Sequence, residues 1–206
     1  LDGLAVGVSS IAAITMLAVA LLTDNMAIAI TMAALTGACI GFMPYNLNPA
    51  KIFMGDTGST FLGYMLATVS IMGLFKFYAV ISFAVPFLIL GLPIFDTANA
   101  IIRRLAEGRS PMSPDRGHVH HKLIDMGFNQ KQAVAILYAI SATLGLTAVV
   151  LTSSGEVKAV VLLAAVLAAI LVGACIIYGA EHWGKHPQEQ KKHKKEAAQE
   201  EKNKHE

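Results

Sequence analysis

LAVGVSSIAAITMLAVALL, Leu4 to Leu22, contains no charged residue and no proline. A helix needs about 20 apolar residues to cross a hydrocarbon layer of about 30 Å, and this stretch is of that length. Backbone groups in lipid find no water, so a helix, which satisfies them internally, is the expected form. Working outward, similar stretches follow at Met26–Met43, Thr60–Leu74, Phe77–Phe95, Ala133–Leu151 and Val157–Tyr178. Nothing sustains the alternation of period two that a strand would show. The expected fold is all-α, a polytopic membrane bundle of about six transmembrane helices. Residues 1–179 would form the membrane domain, and 180–206, rich in Lys, Glu, Gln and His, a solvated tail without apolar periodicity.

Composition agrees. Of 206 residues 55% are hydrophobic and 15% charged, against about a quarter charged in soluble domains. Cys39 and Cys175 lie inside apolar runs with no C-x-x-C spacing, so they read as small buried hydrophobes. LDGLAVGVSS opens abruptly and without Met, which reads as the C-terminal part of a longer chain. No nucleic-acid partner is expected.

The basic residues give an orientation. Lys51, Arg103, Arg104, Arg109, Arg116, Lys122 and Lys131 fall in the connections 44–59 and 96–132, whereas the opposite connections hold Lys76 and Lys158. By the positive-inside rule the first set faces the cytoplasm, together with the N-terminal end and the tail.

Three polar islands then share the cytoplasmic side: Asp2, the stretch Tyr45–Ser59, and the stretch Asp96–Phe128. In NPAKIFMGDTGS, Gly55 and Gly58 permit a tight turn, and Asp56 offers a hard oxygen suited to Mg²⁺. The same residues also suit a helix N-cap, and spacing alone does not separate the two readings. The third island carries Arg103, Arg104, Arg109 and Arg116, then His118, His120 and His121 in an H-x-H-H cluster. Guanidinium groups pair with phosphate oxygens, and histidines donate hydrogen bonds or exchange protons near neutral pH. The bland alternatives are topological anchors for the arginines, and a zinc site or an exposed loop for the histidines. Asp96 could orient a basic side chain or cap the polar cluster. Pro86 and Pro93 punctuate the fourth stretch. A carboxylate, an arginine–histidine island and a bilayer together suggest metal-assisted chemistry on a phosphorylated lipid or nucleotide.

LDGLA, NPAKIFMGDTGS and RGHVHHKLIDMGF, in this order, resemble the polyprenyl-phosphate N-acetylhexosamine-1-phosphate transferases. The likeness is greatest to the bacterial undecaprenyl-phosphate N-acetylglucosaminyl-1-phosphate transferases, and covers roughly residues 1–179. The resemblance implies transfer of N-acetylglucosamine 1-phosphate from UDP-N-acetylglucosamine to undecaprenyl phosphate, with release of UMP, at the cytoplasmic face of a bacterial cell membrane. It implies Mg²⁺, with Mn²⁺ as a substitute, and leaves room for a homodimer. It assigns Asp56 to the metal, and Arg104, His118, His120 and His121 to the surroundings of the diphosphate. Asn46 and Asp2 would belong to the nucleotide site, and Phe53 would stack on uracil. The family's adjacent aspartate pair has no counterpart here, so the resemblance further implies that the 206-residue chain alone is inactive. The muramoyl-pentapeptide transferases are the nearest rival, but they usually carry P-x-H-H-H-x-E where this sequence has RGHVHHK. A cation transporter is a rival from another class. It would place ionisable residues within the spans rather than at one face.

Overall fold

A computed structural model describes residues 1–73, 79–113 and 117–153. Among these residues the protein is all-helical, and its helices belong to one compact unit. They are α1 (Leu4–Leu22), α2 (Met26–Asn46), α3 (Gly55–Gly73), α4 (Ala79–Ile89), α5 (Gly91–Ala106), α6 (Val119–Asp125) and α7 (Gln130–Ser153). The expected sixth span, the tail, the boundary at 179, Lys76, Arg116, Lys158 and Cys175 lie outside the described residues.

Among the described residues three helices, α1, α2 and α7, are long and apolar enough to cross a membrane. The expectation of about six spans is therefore met only in part. The third stretch begins earlier than its apolar residues, because GDTGS forms the first turn of α3 rather than a free turn. The fourth is two helices. Leu90 N–H still donates to the Pro86 carbonyl and Ile94 N–H to the Leu90 carbonyl, each at 3.0 Å. Pro93 between them has no N–H to give, so the chain breaks after Ile89 and restarts at Gly91 with proline in the first turn, where it is tolerated. α2 runs through Pro44 to Asn46, beyond its expected end at Met43.

The core forms around α1, which packs against α2, α3, α4 and α7. Val6, Ala13, Val19 and Met32 are fully buried there. The buried hydroxyls of Ser10 and Thr15 are satisfied within α1, donating to the Val6 carbonyl at 2.7 Å and the Ile11 carbonyl at 2.8 Å. Small residues set the approach of α7. A Cβ on Gly145 would meet Thr15 Oγ1 at 2.4 Å, and one on Gly7 would lie 2.0 Å from the Tyr138 ring. Gly3 and Gly7 form a G-x-x-x-G pair whose bare backbone receives a bulky partner. Tyr138 lies against the start of α1 and Gly145 against its middle, so the two helices run parallel. The N-termini of α1 and α7 and the C-terminus of α2 consequently meet at one end of the unit.

Candidate active site

That end is stitched together by polar side chains. Asn46, buried in the last turn of α2, accepts the Gly3 N–H at 3.2 Å through Oδ1 and donates through Nδ2 to the Ile52 carbonyl at 2.9 Å. Asp2 Oδ2 accepts from Asn48 Nδ2 and from the Ala50 N–H, both at 3.2 Å. The Tyr45 carbonyl accepts two further N–H groups, from Lys51 at 2.8 Å and Ile52 at 3.0 Å. The loop 47–54, with a cis Asn48–Pro49 peptide, is thus fixed to the start of α1. Gly3 has a φ of 77°, which favours glycine, and its carbonyl accepts the Tyr138 hydroxyl.

Two exposed side chains stand at the end of this braced loop and just after it. Phe53 is 74% exposed. Asp56 is exposed in the first turn of α3, where Ser59 Oγ donates to its carbonyl at 3.1 Å and leaves the carboxylate out of that bond. Gly55, at φ 66°, starts the helix, and the bare Gly58 leaves room for Met54 to fold back over the first turn. Among the described residues no group of three or more His, Cys, Asp and Glu is gathered as a metal cage. The single exposed carboxylate of Asp56 is the kind of ligand that Mg²⁺ accepts, since this ion takes one or two carboxylates and fills its shell with water and phosphate oxygens. It does not fit a closed zinc site.

The histidines are gathered by α5. Asp96 uses both carboxylate oxygens on the start of α6: Oδ1 accepts the Val119 N–H at 2.8 Å, and Oδ2 contacts His118 Nδ1 at 2.9 Å. The His118 and His120 rings are nearly parallel with centroids 5.7 Å apart, and His120 and His121 lie at 4.2 Å. His120 is pushed down to about 4, chiefly by burial and then by the charge of His121, with Asp96 pulling the other way. It is neutral at physiological pH. Arg104, in the last turn of α5, donates to the Pro111 carbonyl, and Arg109 pairs with Glu107 at 3.2 Å on the surface.

An apolar cavity of about 750 Å³ joins these elements. Leu4, Val8, Leu66 and Leu137 are among the residues on its walls, and Ser9, Ser59, Asp96, Thr97 and His120 are its polar lining. Ser59 brings the start of α3 to the same cavity as His120. Of the residues singled out from the sequence, Asp2 and Asn46 share one network, and His118, His120 and His121 another. Asp56 reaches the cavity only through its neighbour Ser59, and Phe53 points into solvent. Sequence reasoning missed Tyr138. The Gly3/Gly7 spacing was the one signal for it.

The glycosyl transferase family 4 model matches residues 1–74. A probable undecaprenyl-phosphate N-acetylglucosaminyl 1-phosphate transferase of Bacillus subtilis is 42% identical over 154 residues, 75% of this chain and 43% of that protein. A decaprenyl-phosphate N-acetylglucosaminephosphotransferase of Mycolicibacterium smegmatis is 39% identical over 67% of this chain and 39% of that protein. At lower identity, 31%, stands a phospho-N-acetylmuramoyl-pentapeptide-transferase of Nostoc sp., over 75% of this chain and 42% of that protein. The chain spans about four tenths of the length of these curated relatives. On these matches the chain belongs to glycosyl transferase family 4.

Proposed function

We propose that this chain is part of a Mg²⁺-dependent enzyme of the bacterial cell membrane. It transfers N-acetylglucosamine 1-phosphate from UDP-N-acetylglucosamine to undecaprenyl phosphate and so starts a surface polymer of the teichoic acid or O-antigen type. The observation that carries this reading is the apolar cavity with Ser9, Ser59, Asp96, Thr97 and His120 as its polar lining. An isoprenoid chain suits the walls, and the hydroxyls of Ser59 and Thr97 and the neutral ring of His120 can donate to a phosphate, while Asp96 is engaged with α6. The relatives, a probable undecaprenyl-phosphate N-acetylglucosaminyl 1-phosphate transferase among them, support the same substrates.

In the reaction, an oxygen of the lipid phosphate attacks the phosphorus that carries the sugar, and the bond from that phosphorus to UMP breaks. The lipid phosphate is already anionic near neutral pH, so no strong protein base is required. Positioning and charge neutralisation carry most phosphoryl transfer. Asp56 would hold Mg²⁺, or Mn²⁺ in its place, and the ion when bound would neutralise diphosphate charge. Arg104 would stand by as a fixed cation for phosphate oxygens. His120, neutral by burial, offers one ring N–H and one acceptor rather than a charge. Asp2 and Asn46 act on the nucleotide side by holding the loop 47–54, from which Phe53 is free to meet a uracil face. The concentration of basic residues in these connections supports a cytoplasmic position for this end.

The test is donor choice by the purified intact protein in lipid. UDP-N-acetylglucosamine should yield UMP and lipid-linked N-acetylglucosamine diphosphate. Product from UDP-N-acetylmuramoyl-pentapeptide alone would assign the chain to the muramoyl branch.

A further inference from the structure

Asp96, Ala100 and Arg103 stand at i, i+4 and i+7 on α5, which places them on one face of the helix. Ala100 is buried, and the polar residues on either side of it both reach the start of α6. Arg103 Nη1 donates to the Gly117 carbonyl at 3.0 Å, and a Cβ on Gly117 would lie 2.0 Å from the guanidinium carbon. Asp96 takes the next two residues, with Oδ2 on His118 Nδ1 at 2.9 Å and Oδ1 on the Val119 N–H at 2.8 Å. This face of α5 is a seat for residues 117–119.

The chemistry of the contact decides the histidine's form. A carboxylate only accepts hydrogen bonds, so His118 must carry its hydrogen on Nδ1. In the neutral ring Nε2 is then the bare acceptor, directed away from Asp96. The Val119 N–H is one of the donors that a helix start leaves unsatisfied, so the same carboxylate caps α6. The stacked rings of His118 and His120, with His121 beside them, follow the orientation set there.

We propose that Asp96 is a positioning residue for the histidine cluster: it fixes the Nδ1–H tautomer and the orientation of His118, and through the α6 cap it sets His120 against the cavity, with His121 beside it. The role in catalysis rests on the transferase reading above. The tautomer does not.

The experiment is Asp96→Asn in the intact protein, read in two ways. Asparagine keeps an oxygen for the Val119 N–H but turns an NH₂ toward Nδ1, which then has to accept. By ¹⁵N-histidine NMR, His118 should carry Nδ1–H in the wild type and Nε2–H in the variant. In the transfer assay kcat should fall about a hundredfold, the scale of a lost proton-handling or hydrogen-bonding group, with KM for UDP-N-acetylglucosamine little changed. Asp96→Glu should recover part of the loss, and Asp96→Asn should add nothing once His118→Ala is present. An Nε2–H tautomer in the wild type overturns the proposal without any variant having to fold. So do losses that multiply in the double variant. A tautomer switch in a protein that transfers no sugar phosphate would remove the transferase reading and leave the Asp96–His118 relationship standing.

Discussion

The Tyr138 ring of α7 lies directly over Gly7 of α1, where a single added Cβ would come within 2.0 Å of it. Its hydroxyl donates to the Gly3 carbonyl one turn away. This contact aligns the start of α7 with the start of α1. It thereby brings the loop braced by Asp2 and Asn46 to the same end as the histidines that precede α7.

Gly7→Ala should destabilise the protein by about 1–3 kcal/mol, the range for forcing extra atoms into a packed contact. Tyr138→Phe, which removes only the hydroxyl, should cost about 1 kcal/mol. Thermal unfolding in detergent measures both. Gly7→Ala placed on Tyr138→Ala should cost far less than it does alone, because the clashing ring is gone. Equal costs in the two backgrounds would count against the contact.

Asn46→Asp should loosen the loop 47–54. The new carboxylate can still accept the Gly3 N–H, but it meets the Ile52 carbonyl with an acceptor where a donor stood. Limited trypsin digestion reads this at the exposed Lys51, which should be cut faster in the variant. Unchanged cleavage would show that Asn46 does not hold the loop.

How much of this was legible follows the physics of each segment. α1 was read to the residue, Leu4–Leu22, because polar residues flank a clean apolar run. The break at Leu90 was not, since Pro86 and Pro93 each permit either a kink or a restart, and neighbouring helices decide. For GDTGS the spacing leaves a tight turn and a helix start equally open, and the structure puts it in the first turn of α3. The reading of Asp96 as an orienting or capping residue agrees with its two bonds to α6. The Gly3/Gly7 spacing signals a close partner for α1 but does not name it, because Tyr138 lies far along the sequence.

His120 should make stability pH-dependent. Its folded value, about 4, lies below its ordinary 6.5, so between these pH values the unfolded chain binds the proton and the folded chain does not. Its contribution is present above 6.5 and is lost as the pH falls toward about 4. Melting curves of wild type and His120→Gln should therefore diverge across that window, with the variant less sensitive to acid. Parallel curves would contradict the burial of this ring.

Orientation is checked by cysteine labelling in intact cells. An impermeant maleimide should leave Gly108→Cys unlabelled and should label Thr23→Cys in the α1–α2 connection. The reverse pattern would place the candidate site on the outer face.

Asp56 offers an exposed carboxylate at the first turn of α3 and is the proposed ligand for Mg²⁺. The most direct measurement is transfer of labelled N-acetylglucosamine 1-phosphate to undecaprenyl phosphate by the intact protein, across a Mg²⁺ titration, for the wild type and Asp56→Asn. The wild type should form the lipid-linked product with release of UMP, and the variant, inserted normally in the membrane, should form none at any Mg²⁺ concentration. Near-normal turnover of Asp56→Asn at limiting Mg²⁺, or no transfer by the wild type, would contradict the proposed reaction and the role of Asp56 in it.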